Sequence, residues 1–431
     1  MYFVSTEALS GNELTIGELK RQSHSIGVGL VNQGVTKGDK IAFSGENSIQ
    51  HAVCRFAVKL LGLTFMPLSP TFEKYEVEQE VRSAGANVII SSGDDCHKFG
   101  SVLENNINNV KLVVIIDGKS ETHVTYDQLL AESRGQTLQQ IPYFPVDPST
   151  DMLFLIHTSG STGRPKCAMI PHRVFINGTD ELPLMFRFRG IEGLEDTVSA
   201  MCYPCGHVTG TILIPMMILN GIRLVLFGKF DEQLLLKSIA KYGINALPAF
   251  PSFGRTLVAG DLLQKYDISS LKAVSIGGAA FPETPARALI QRGIQIKEVY
   301  AMTEYVWVTN GSDYNDEYIP GNTGTVAPGC QLKVVDLTTG ESLGPGRDGE
   351  ICIRGNKLFA GYLDNETANL EAFDKDGWYR TGDIGRYDSR ERLFIVDRLK
   401  EVVRIGIDNH YINISPVEIE QFLLTHPSIA E

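Results

Sequence analysis

Thr158-Ser-Gly-Ser-Thr-Gly-Arg-Pro-Lys166 follows the apolar run Met152-Leu-Phe-Leu-Ile156, and the rest of the chain is organised around this stretch. A buried strand that ends in hydroxyls, glycines and cations can direct backbone, hydroxyl and ammonium donors at phosphate oxygens. The stretch is not a P-loop. Counted from Gly160, that pattern needs glycine and lysine where Pro165 and Lys166 stand, and proline has no N–H to donate.

The alternative for this stretch is a solvated turn, because Ser, Thr, Gly and Pro are ordinary turn residues. The length of the run and its closing lysine favour phosphate binding instead. The glycines would allow close approach of the backbone, and the ammonium group would neutralise charge that develops during a reaction. The predicted phosphate contacts are Thr158, Ser159, Gly160, Ser161, Thr162, Gly163 and Lys166.

Predicted strands and helices alternate on both sides of this loop, which indicates an α/β fold with parallel sheets covered by helices. Strands are predicted at 39–44, 63–68, 87–91, 111–116, 223–227, 272–276 and 295–299, and helices at 15–34, 51–61, 73–84, 231–242 and 282–292. The polar segment 117–150 is predicted to be a surface crossing, and 211–228 splits into a helix and a strand. From about Gly321 short strands with glycine turns predict a β-rich subdomain.

Composition limits the class of partner. The chain has 431 residues, of which 43% are hydrophobic, so it can bury a sizeable core. The net charge of −12 argues against nucleic acid or an anionic membrane as partner, but it does not exclude ATP that arrives with magnesium. No segment predicts a signal peptide or a membrane span.

The seven cysteines show no disulfide framework, which is typical of a reducing compartment and predicts a cytoplasmic protein. The Cys202-Tyr-Pro-Cys205 pair is interpreted as packing, because no activating helix terminus or second pair of metal ligands accompanies it.

Tyr300-Ala-Met-Thr-Glu304 follows a predicted buried strand. Open α/β sheets bind ligands at the carboxyl ends of their strands. Glu304 is therefore a candidate magnesium ligand and Thr303 a candidate phosphate contact, with Tyr300 against a nucleotide base. The alternative is a strand end whose polar residues face water.

The signature loop is similar to that of the adenylate-forming superfamily, which includes acyl-CoA synthetases, coumarate-CoA ligases, beetle luciferases and the adenylation domains of peptide synthetases. Tyr300–Glu304 resembles the family's Tyr-Gly-x-Thr-Glu motif, with alanine at 301. Gly277-Gly-Ala-Ala280 resembles the segment that lines the adenine and acyl pocket. The resemblance implies nucleotide contacts from Gly278, Ala279, Tyr300, Ala301, Met302 and Thr303.

Two further motifs match in family order. Tyr379-Arg-Thr-Gly-Asp383 resembles the motif that binds the ribose, where one carboxylate can accept hydrogen bonds from both vicinal hydroxyls. Arg398, in Asp397-Arg-Leu-Lys400, matches a residue that points at the nucleotide in the family. The resemblance thus adds Asp383 and Arg398 to the predicted cofactor-binding residues.

Tyr203-Pro-Cys-Gly-His207-Val-Thr-Gly210 resembles the segment that borders the acid pocket of acyl and aryl CoA ligases. His207 is the predicted catalytic residue there, in a gating role, although a lone histidine near an apolar helix is more often a satisfied core residue. Adenylation domains for amino acids carry an aspartate in this segment. None occurs between Cys202 and Ile214, so the acid is not expected to be an amino acid.

The resemblance also predicts the domain organisation. Residues 1–396 form the AMP-binding domain, with the β-rich subdomain at about 320–396, and 397–431 form the hinge and the start of a small α+β lid. In the family a mobile domain of about 100 residues that carries a further lysine follows the hinge at Lys400. Because 31 residues follow Lys400 (431 − 400), the sequence is expected to be truncated there.

The function that follows is ATP-dependent activation of a carboxylic acid, predicted to be a fatty acid, to an acyl-adenylate and then to acyl-CoA. The predicted catalytic residues are Lys166, Thr303, Glu304 and His207, and the cofactors are ATP, Mg²⁺ and coenzyme A. Two alternatives stay open: a non-catalytic nucleotide-binding protein and a luciferase-like oxygenase. Oligomeric state and acid chain length are not predicted.

Overall fold

The computed structural model describes residues 3–133, 144–158, 166–251, 265–279, 281–311, 317–399, 403–407 and 410–414. The chain divides into two compact units. Unit 1 comprises Met1–Pro248, Gln264–Lys272 and Phe359–Asp364, and unit 2 comprises Ala249–Leu263, Ala273–Leu358 and Asn365–Glu431.

Unit 1 contains a sheet with the strand order β7-β6-β5-β3-β4-β8-β9. Its strands are β3 (Lys40–Ser44), β4 (Thr64–Pro67), β5 (Val88–Ser91), β6 (Leu112–Ile115), β7 (Val124–Thr125), β8 (Met152–Thr158) and β9 (Lys166–Pro171). All neighbours pair in parallel except β8 and β9, which are antiparallel. The central strands are buried on both faces, as parallel strands between helical layers should be.

A second set of strands in unit 1 follows the order β12-β10-β11-β1-β2. These strands are β1 (Phe3–Glu7), β2 (Glu13–Thr15), β10 (Val198–Met201), β11 (Arg223–Leu226) and β12 (Ala246–Ala249). β11 pairs in parallel with β10 and β1, and β2 returns antiparallel to β1.

Helices connect and separate the sheets of unit 1. They are α1 (Ile16–Asn32), α2 (Ile49–Leu60), α3 (Lys74–Ala84), α4 (Gly100–Glu104), α5 (Tyr126–Glu132), α6 (His172–Met185), α7 (Val208–Leu219) and α8 (Glu232–Tyr242). α2 contacts β4 of one sheet and β1 of the other, so it lies between them. Its Arg55 is 1% exposed and donates to the carbonyl oxygens of Gly210 and Cys205. Hydrogen bonds as well as apolar packing therefore join α2 to the segment that leads into α7.

Local sequence explains where these helices begin and end. Thr15 and Glu18 form a capping box at the start of α1, and Ser48 accepts from the backbone of His51 at the start of α2. α3 ends at Gly85, whose φ of 71° is the left-handed conformation that a helix stop requires. The apolar face of α3 packs on the sheet, where Val77 and Val81 share a core cluster with Leu155.

Unit 2 contains the parallel pair β13 (Ala273–Ile276) and β14 (Gln295–Glu298), connected through α9 (Glu283–Ile290). Its second part is an antiparallel sheet of β15 (Cys330–Val335), β16 (Gly349–Gly355), β17 (Tyr379–Tyr387) and β18 (Leu393–Arg398), in chain order. α10 (Glu366–Ala372) precedes β17, and β19 (Val403–Ile407) and β20 (His410–Ile414) form an antiparallel pair.

The predicted α/β alternation, the helix and strand within 211–228, and the β-rich region after Gly321 are confirmed. The prediction that 117–150 is only a surface crossing is wrong, because β7 and α5 lie within it. Short elements of this kind carry too little periodicity to be detected. The sequence patterns also did not predict β9, α6, β10 and β12. The domain boundary at residue 396 stays a prediction. No helix in the described part of the chain is long and apolar enough to cross a membrane.

Candidate nucleotide and acid site

The two ends of the signature stretch meet across an antiparallel strand pair in unit 1. Thr158, the last residue of β8, is in register with Lys166, the first of β9, and its hydroxyl donates to the Lys166 carbonyl at 3.3 Å. The predicted contacts Ser159, Gly160, Ser161, Thr162 and Gly163 lie outside the described residues. The strand pair therefore brings together Thr158 and Lys166, one hydroxyl and one cation of the predicted phosphate site.

An aromatic ring supports the Lys166 side chain. The Lys166 ammonium nitrogen lies 5.1 Å from the centroid of the Tyr362 ring, and Tyr362 is itself buried. Backbone contacts hold this tyrosine beside β9, through a bridge between Ala168 and Tyr362 and a 2.8 Å bond from Leu363 N to the Cys167 carbonyl. The negative face of an aromatic ring attracts a cation, so the Tyr362 ring is a favourable contact for the Lys166 ammonium group.

The predicted motif Tyr300–Glu304 forms a closed loop after β14 in unit 2. Val308 N and Thr309 N both donate to the Tyr300 carbonyl, at 3.0 and 3.2 Å, and Tyr300 N donates to the Thr309 hydroxyl at 3.0 Å. Met302 and Tyr305 exchange backbone hydrogen bonds at the tip. The residues between them, Thr303 and Glu304, are half-buried. The loop thus presents a hydroxyl and a carboxylate on a fixed backbone.

Asp383 in β17 is buried and contacts two other predicted site residues. It is 5% exposed. One carboxylate oxygen accepts from the Tyr300 hydroxyl at 2.5 Å, and the other lies 3.2 Å from Nε of Arg398. Burial, followed by the charge of Asp383, raises the pKa of Tyr300 well above its usual range, so this phenol stays a donor. Two residues that the sequence predicts for the nucleotide, Tyr300 and Arg398, therefore both contact a third, Asp383.

Gly278 and Ala279 follow β13 and are exposed. Gly278 has a φ of +90°, which favours glycine, and a side chain there would meet open space. Because β13 and β14 are parallel and adjacent, Gly278 and Ala279 leave the sheet at the same edge as Tyr300 and Ala301. This agrees with the placement of ligands at the carboxyl ends of parallel strands.

Sequence reasoning missed Glu298, the last residue of β14. It is 4% exposed, and its carboxylate accepts from the Tyr318 hydroxyl at 3.0 Å, from Gly321 N at 3.1 Å and from Phe281 N at 3.4 Å. Burial raises its pKa. A charged residue at the end of a predicted strand, two positions before Tyr300, was the available signal.

His207 occupies a helix terminus in unit 1. It is exposed, and its Nδ1 accepts from Thr209 N at 3.1 Å at the start of α7. Its ring lies 5.6 Å from that of Tyr203. Desolvation lowers the pKa of the His207 ring, and the Thr209 N–H satisfies its Nδ1, so the alternative of a satisfied structural histidine stays open. The gating role predicted for His207 stays a prediction.

All seven cysteines are free, and the buried Cys205 donates its thiol to the Gly45 carbonyl at 2.8 Å. Burial raises the pKa of Cys205 to about 11, which keeps the thiol protonated.

A magnesium ion fits Glu304 only together with a polyphosphate. The described residues contain no group of three or more His, Cys, Asp or Glu side chains that could hold a metal. Mg²⁺ is commonly bound by one or two carboxylates together with substrate phosphates and waters. One half-buried carboxylate on the Tyr300–Glu304 loop suits that mode of binding.

The chain belongs to the AMP-binding enzyme family, which it matches over residues 3–363. It is 30% identical to luciferin 4-monooxygenase of Nipponoluciola cruciata, over 98% of this chain and 77% of the relative. It is 29% identical to 4-coumarate-CoA ligase 1 of Narcissus pseudonarcissus, over 99% of this chain and 77% of the relative.

Among solved structures, the fold is similar to that of ATP-bound MatB from Rhodopseudomonas palustris. The TM-score is 0.85 at 23% identity, and the match covers 100% of this chain and 81% of the other. The superfamily and the fold class predicted from the motifs are thus confirmed.

Proposed function

We propose that this chain activates a carboxylic acid with ATP, forming an acyl-adenylate and then an acyl-CoA thioester, and that the acid is a fatty acid. The observation that carries the proposal is Asp383, a buried carboxylate held by Tyr300 and Arg398. A carboxylate fixed in this way can accept hydrogen bonds from the vicinal hydroxyls of a ribose.

The chemistry of the first step consists of an exchange at phosphorus. The substrate carboxylate attacks the α-phosphorus of ATP and pyrophosphate leaves, so the carboxylate oxygen becomes part of a mixed anhydride. Lys166, Thr158 and Thr303 would stabilise the charge that develops on the phosphate oxygens. Glu304 would hold Mg²⁺, which neutralises phosphate charge when bound.

In the second step a thiolate of coenzyme A attacks the acyl carbon, and AMP leaves. The residues proposed beside the base are Gly278, Ala279, Ala301 and Met302, with the buried Tyr300 against the base. His207 is proposed to gate the acid. The similarity to a coumarate-CoA ligase supports a thioester product, whereas the fatty acid rests on the sequence alone.

The luciferin 4-monooxygenase at 30% identity favours a second candidate, a luciferase-like oxygenase. That activity would share the adenylation step and would then consume oxygen. Oxygen uptake or light emission with the same acid separates it from thioester formation.

Acid-dependent exchange of labelled pyrophosphate into ATP tests the proposal, with short, medium, long and aromatic acids. Exchange that Lys166→Ala and Asp383→Ala both reduce, at ATP below saturation, would establish adenylation and name the acid. Lys229→Ala is the matched control, because that side chain is 88% exposed and pairs weakly with Glu46 at 3.8 Å. Binding of ATP without exchange by any acid would overturn the proposal and leave a nucleotide-binding protein.

A further inference from the structure

One buried cation in unit 1 joins α2 to the turn that carries His207. Arg55 of α2 is 1% exposed, and its Nη2 donates to the Cys205 carbonyl. Its Nη1 donates to the Gly210 carbonyl at 3.2 Å. These carbonyls lie two residues before and three residues after His207. One guanidinium group therefore holds both ends of the His207 turn, residues 205–210.

The Arg55 side chain is a cation inside an apolar layer. Burial lowers its pKa to about 10, so the guanidinium group keeps its charge at pH 7. Its central carbon lies 5.0 Å from the centroid of the Phe65 ring, and no carboxylate among the described residues forms an ion pair with it. Nε is the one guanidinium nitrogen without a hydrogen-bond partner in that part of the chain. A buried charge is unfavourable unless polar groups meet it, so the carbonyls of the His207 turn compensate the charge together with the ring.

Filling the core does not by itself account for this guanidinium group. Replacing buried ions by apolar residues of similar volume is often neutral or stabilising. What an arginine adds is direction, because its donors are fixed in one plane and reach two carbonyl oxygens only when these lie at a set separation. Arg55 therefore restrains the distance across the His207 turn, which an apolar side chain in the same position would not do.

Neighbouring side chains hold the same turn from the same side. The Asn47 side chain, eight residues before Arg55, donates to the Tyr203 carbonyl at 2.9 Å. His51 lies one helical turn before Arg55, and its Nε2 is 3.2 Å from the Cys205 sulfur. His51 and Arg55 are four residues apart in α2, so they lie on one face of the helix. This face of α2 therefore contacts the turn at more than one point.

The Thr211 hydroxyl completes the network. Thr211 is fully buried, and its hydroxyl donates to the Cys205 carbonyl at 2.6 Å. Its oxygen accepts from Arg55 Nη2 at 3.3 Å. The Cys205 carbonyl thus accepts from two side chains that also bond to each other, one on α2 and one on α7. The His207 turn is fixed from its buried side, while the His207 ring is exposed.

We propose that Arg55 is a positioning residue that sets which acids this protein accepts: by holding both ends of the His207 turn, it fixes the side of the acid pocket that this turn forms. The inference rests on the proposed function, in which His207 gates the acid. Its structural part, a turn held by Arg55, is independent of any reaction. Arg55 is buried and is assigned no contact with the substrates.

The first test compares Arg55→Met, which keeps an apolar stem and removes the donors, with Arg55→Lys, which restores a cation that can donate to a carbonyl. For Arg55→Met we expect the KM for the acid to rise about tenfold, the scale for losing a hydrogen bond to a charged group, while the KM for ATP stays constant. Arg55→Lys should recover part of the loss. Arg82→Met is the matched control, because that side chain is 55% exposed and pairs with Glu78 within α3. Equal rises in both KM values, or no rise in either, would overturn the proposal.

Acid selectivity is a measurement that a loss of stability alone would not move. Selectivity is the ratio of kcat/KM values for two acids. In wild type the fixed turn should favour one chain length, and Arg55→Met should bring the ratio for neighbouring chain lengths closer to one. Arg55→Lys should lie between the two. The same ratio in Arg55→Met and in wild type would contradict the proposal.

Thr211→Val provides a second route to the same turn, which keeps the test decisive if Arg55→Met does not fold. Valine has nearly the shape of threonine but lacks the hydroxyl that donates to Cys205. We expect the KM for the acid to rise about threefold, the scale for one neutral hydrogen bond. The double variant should lose less than the product of the two single effects, because both side chains act on one carbonyl. Strictly multiplicative effects, or no effect of Thr211→Val, would overturn the proposal.

Hydrogen exchange needs no substrate and separates this inference from the proposed function. In Arg55→Met, and less so in Thr211→Val, the amides of the His207 turn should exchange faster than in wild type, while those of β5 should not change. Unchanged exchange in the turn, or equal acceleration in β5, would overturn the inference even if adenylation occurs. Faster exchange confined to the turn, in a protein that shows no pyrophosphate exchange with any acid, would reject the function and its acid selectivity but keep Arg55 as the residue that holds the turn.

Discussion

Unit 1 and unit 2 hold their predicted nucleotide residues in different ways. In unit 2 the Asp383 carboxylate is buried, accepts a hydrogen bond from the Tyr300 hydroxyl and forms an ion pair with Arg398. In unit 1 the Lys166 ammonium lies over the Tyr362 ring, on a stem with four rotatable bonds. Under the proposed function, this difference means that the ribose would meet a preset geometry, whereas the phosphates would meet a charge that can adjust its position.

The largest expected effect on activity comes from removing the Lys166 charge in unit 1. Lys166→Ala should lower pyrophosphate exchange by about 10²–10³, the scale for one charge-stabilising donor. Because the role is a charge on a flexible stem, Lys166→Arg should retain more activity than the alanine variant. Steady-state exchange rates at saturating ATP measure this. An alanine variant within threefold of wild type would show that Lys166 is outside the reaction.

A smaller effect is expected for the preset carboxylate in unit 2. Asp383→Ala should weaken ATP binding by about 10–100-fold, because a hydrogen bond to a charged group contributes about 1.5–3 kcal/mol. The same variant should bind 2′,3′-dideoxy-ATP as wild type does, since that nucleotide has no hydroxyls to donate. Calorimetry on both nucleotides measures the difference. An equal loss for both would mean that the carboxylate supports the fold rather than the ribose, and thermal melting would show it.

The smallest expected effect is a difference between the two units in how their stability depends on pH. Burial holds the pKa of His51, in unit 1, well below its usual range, so its contribution to stability is present above about pH 6.5 and is lost as pH falls. Burial raises the pKa of Glu298, in unit 2, so its contribution is fully present below about pH 4.5 and is lost as pH rises.

Mild acidification from pH 7 towards pH 5 should therefore reduce amide protection in α2 relative to β14, after correction for intrinsic exchange rates. Hydrogen exchange with mass spectrometry measures both segments in one sample. Glu298→Gln should remove the response of β14, while His51→Gln should remove that of α2. A uniform response of both units would contradict the contrast.

Much of the fold was readable from local patterns. The alternation of apolar strands with helices such as α2 and α3 is confirmed almost to the residue, because period-2 and period-3.6 patterns reflect which faces are buried. β9 was missed because it follows the signature loop directly, and a polar lysine and a proline bound its six residues. β7 and α5, of two and seven residues, are too short to give a pattern.

Part of the candidate site was likewise predictable from local sequence, and part was not. The signature loop and Tyr300–Glu304 were identified from contiguous residues, because the chemistry of phosphate binding needs several donors close together in the chain. Glu298 was not identified, because its hydrogen-bond partners Phe281, Tyr318 and Gly321 come from separate segments of the chain. They donate to the carboxylate only in the folded protein.

The amino-acid sequence alone was enough to identify the superfamily, the α/β class and the residues expected at the nucleotide, since these depend on local motifs and on periodicity. The folded structure was needed to show which side chains bond to one another. Tyr300 and Asp383 are 83 positions apart, and Ser83 and His157 are 74 apart. Hydrogen bonds over such separations depend on how the strands and helices pack, and no local pattern in the chain encodes that packing.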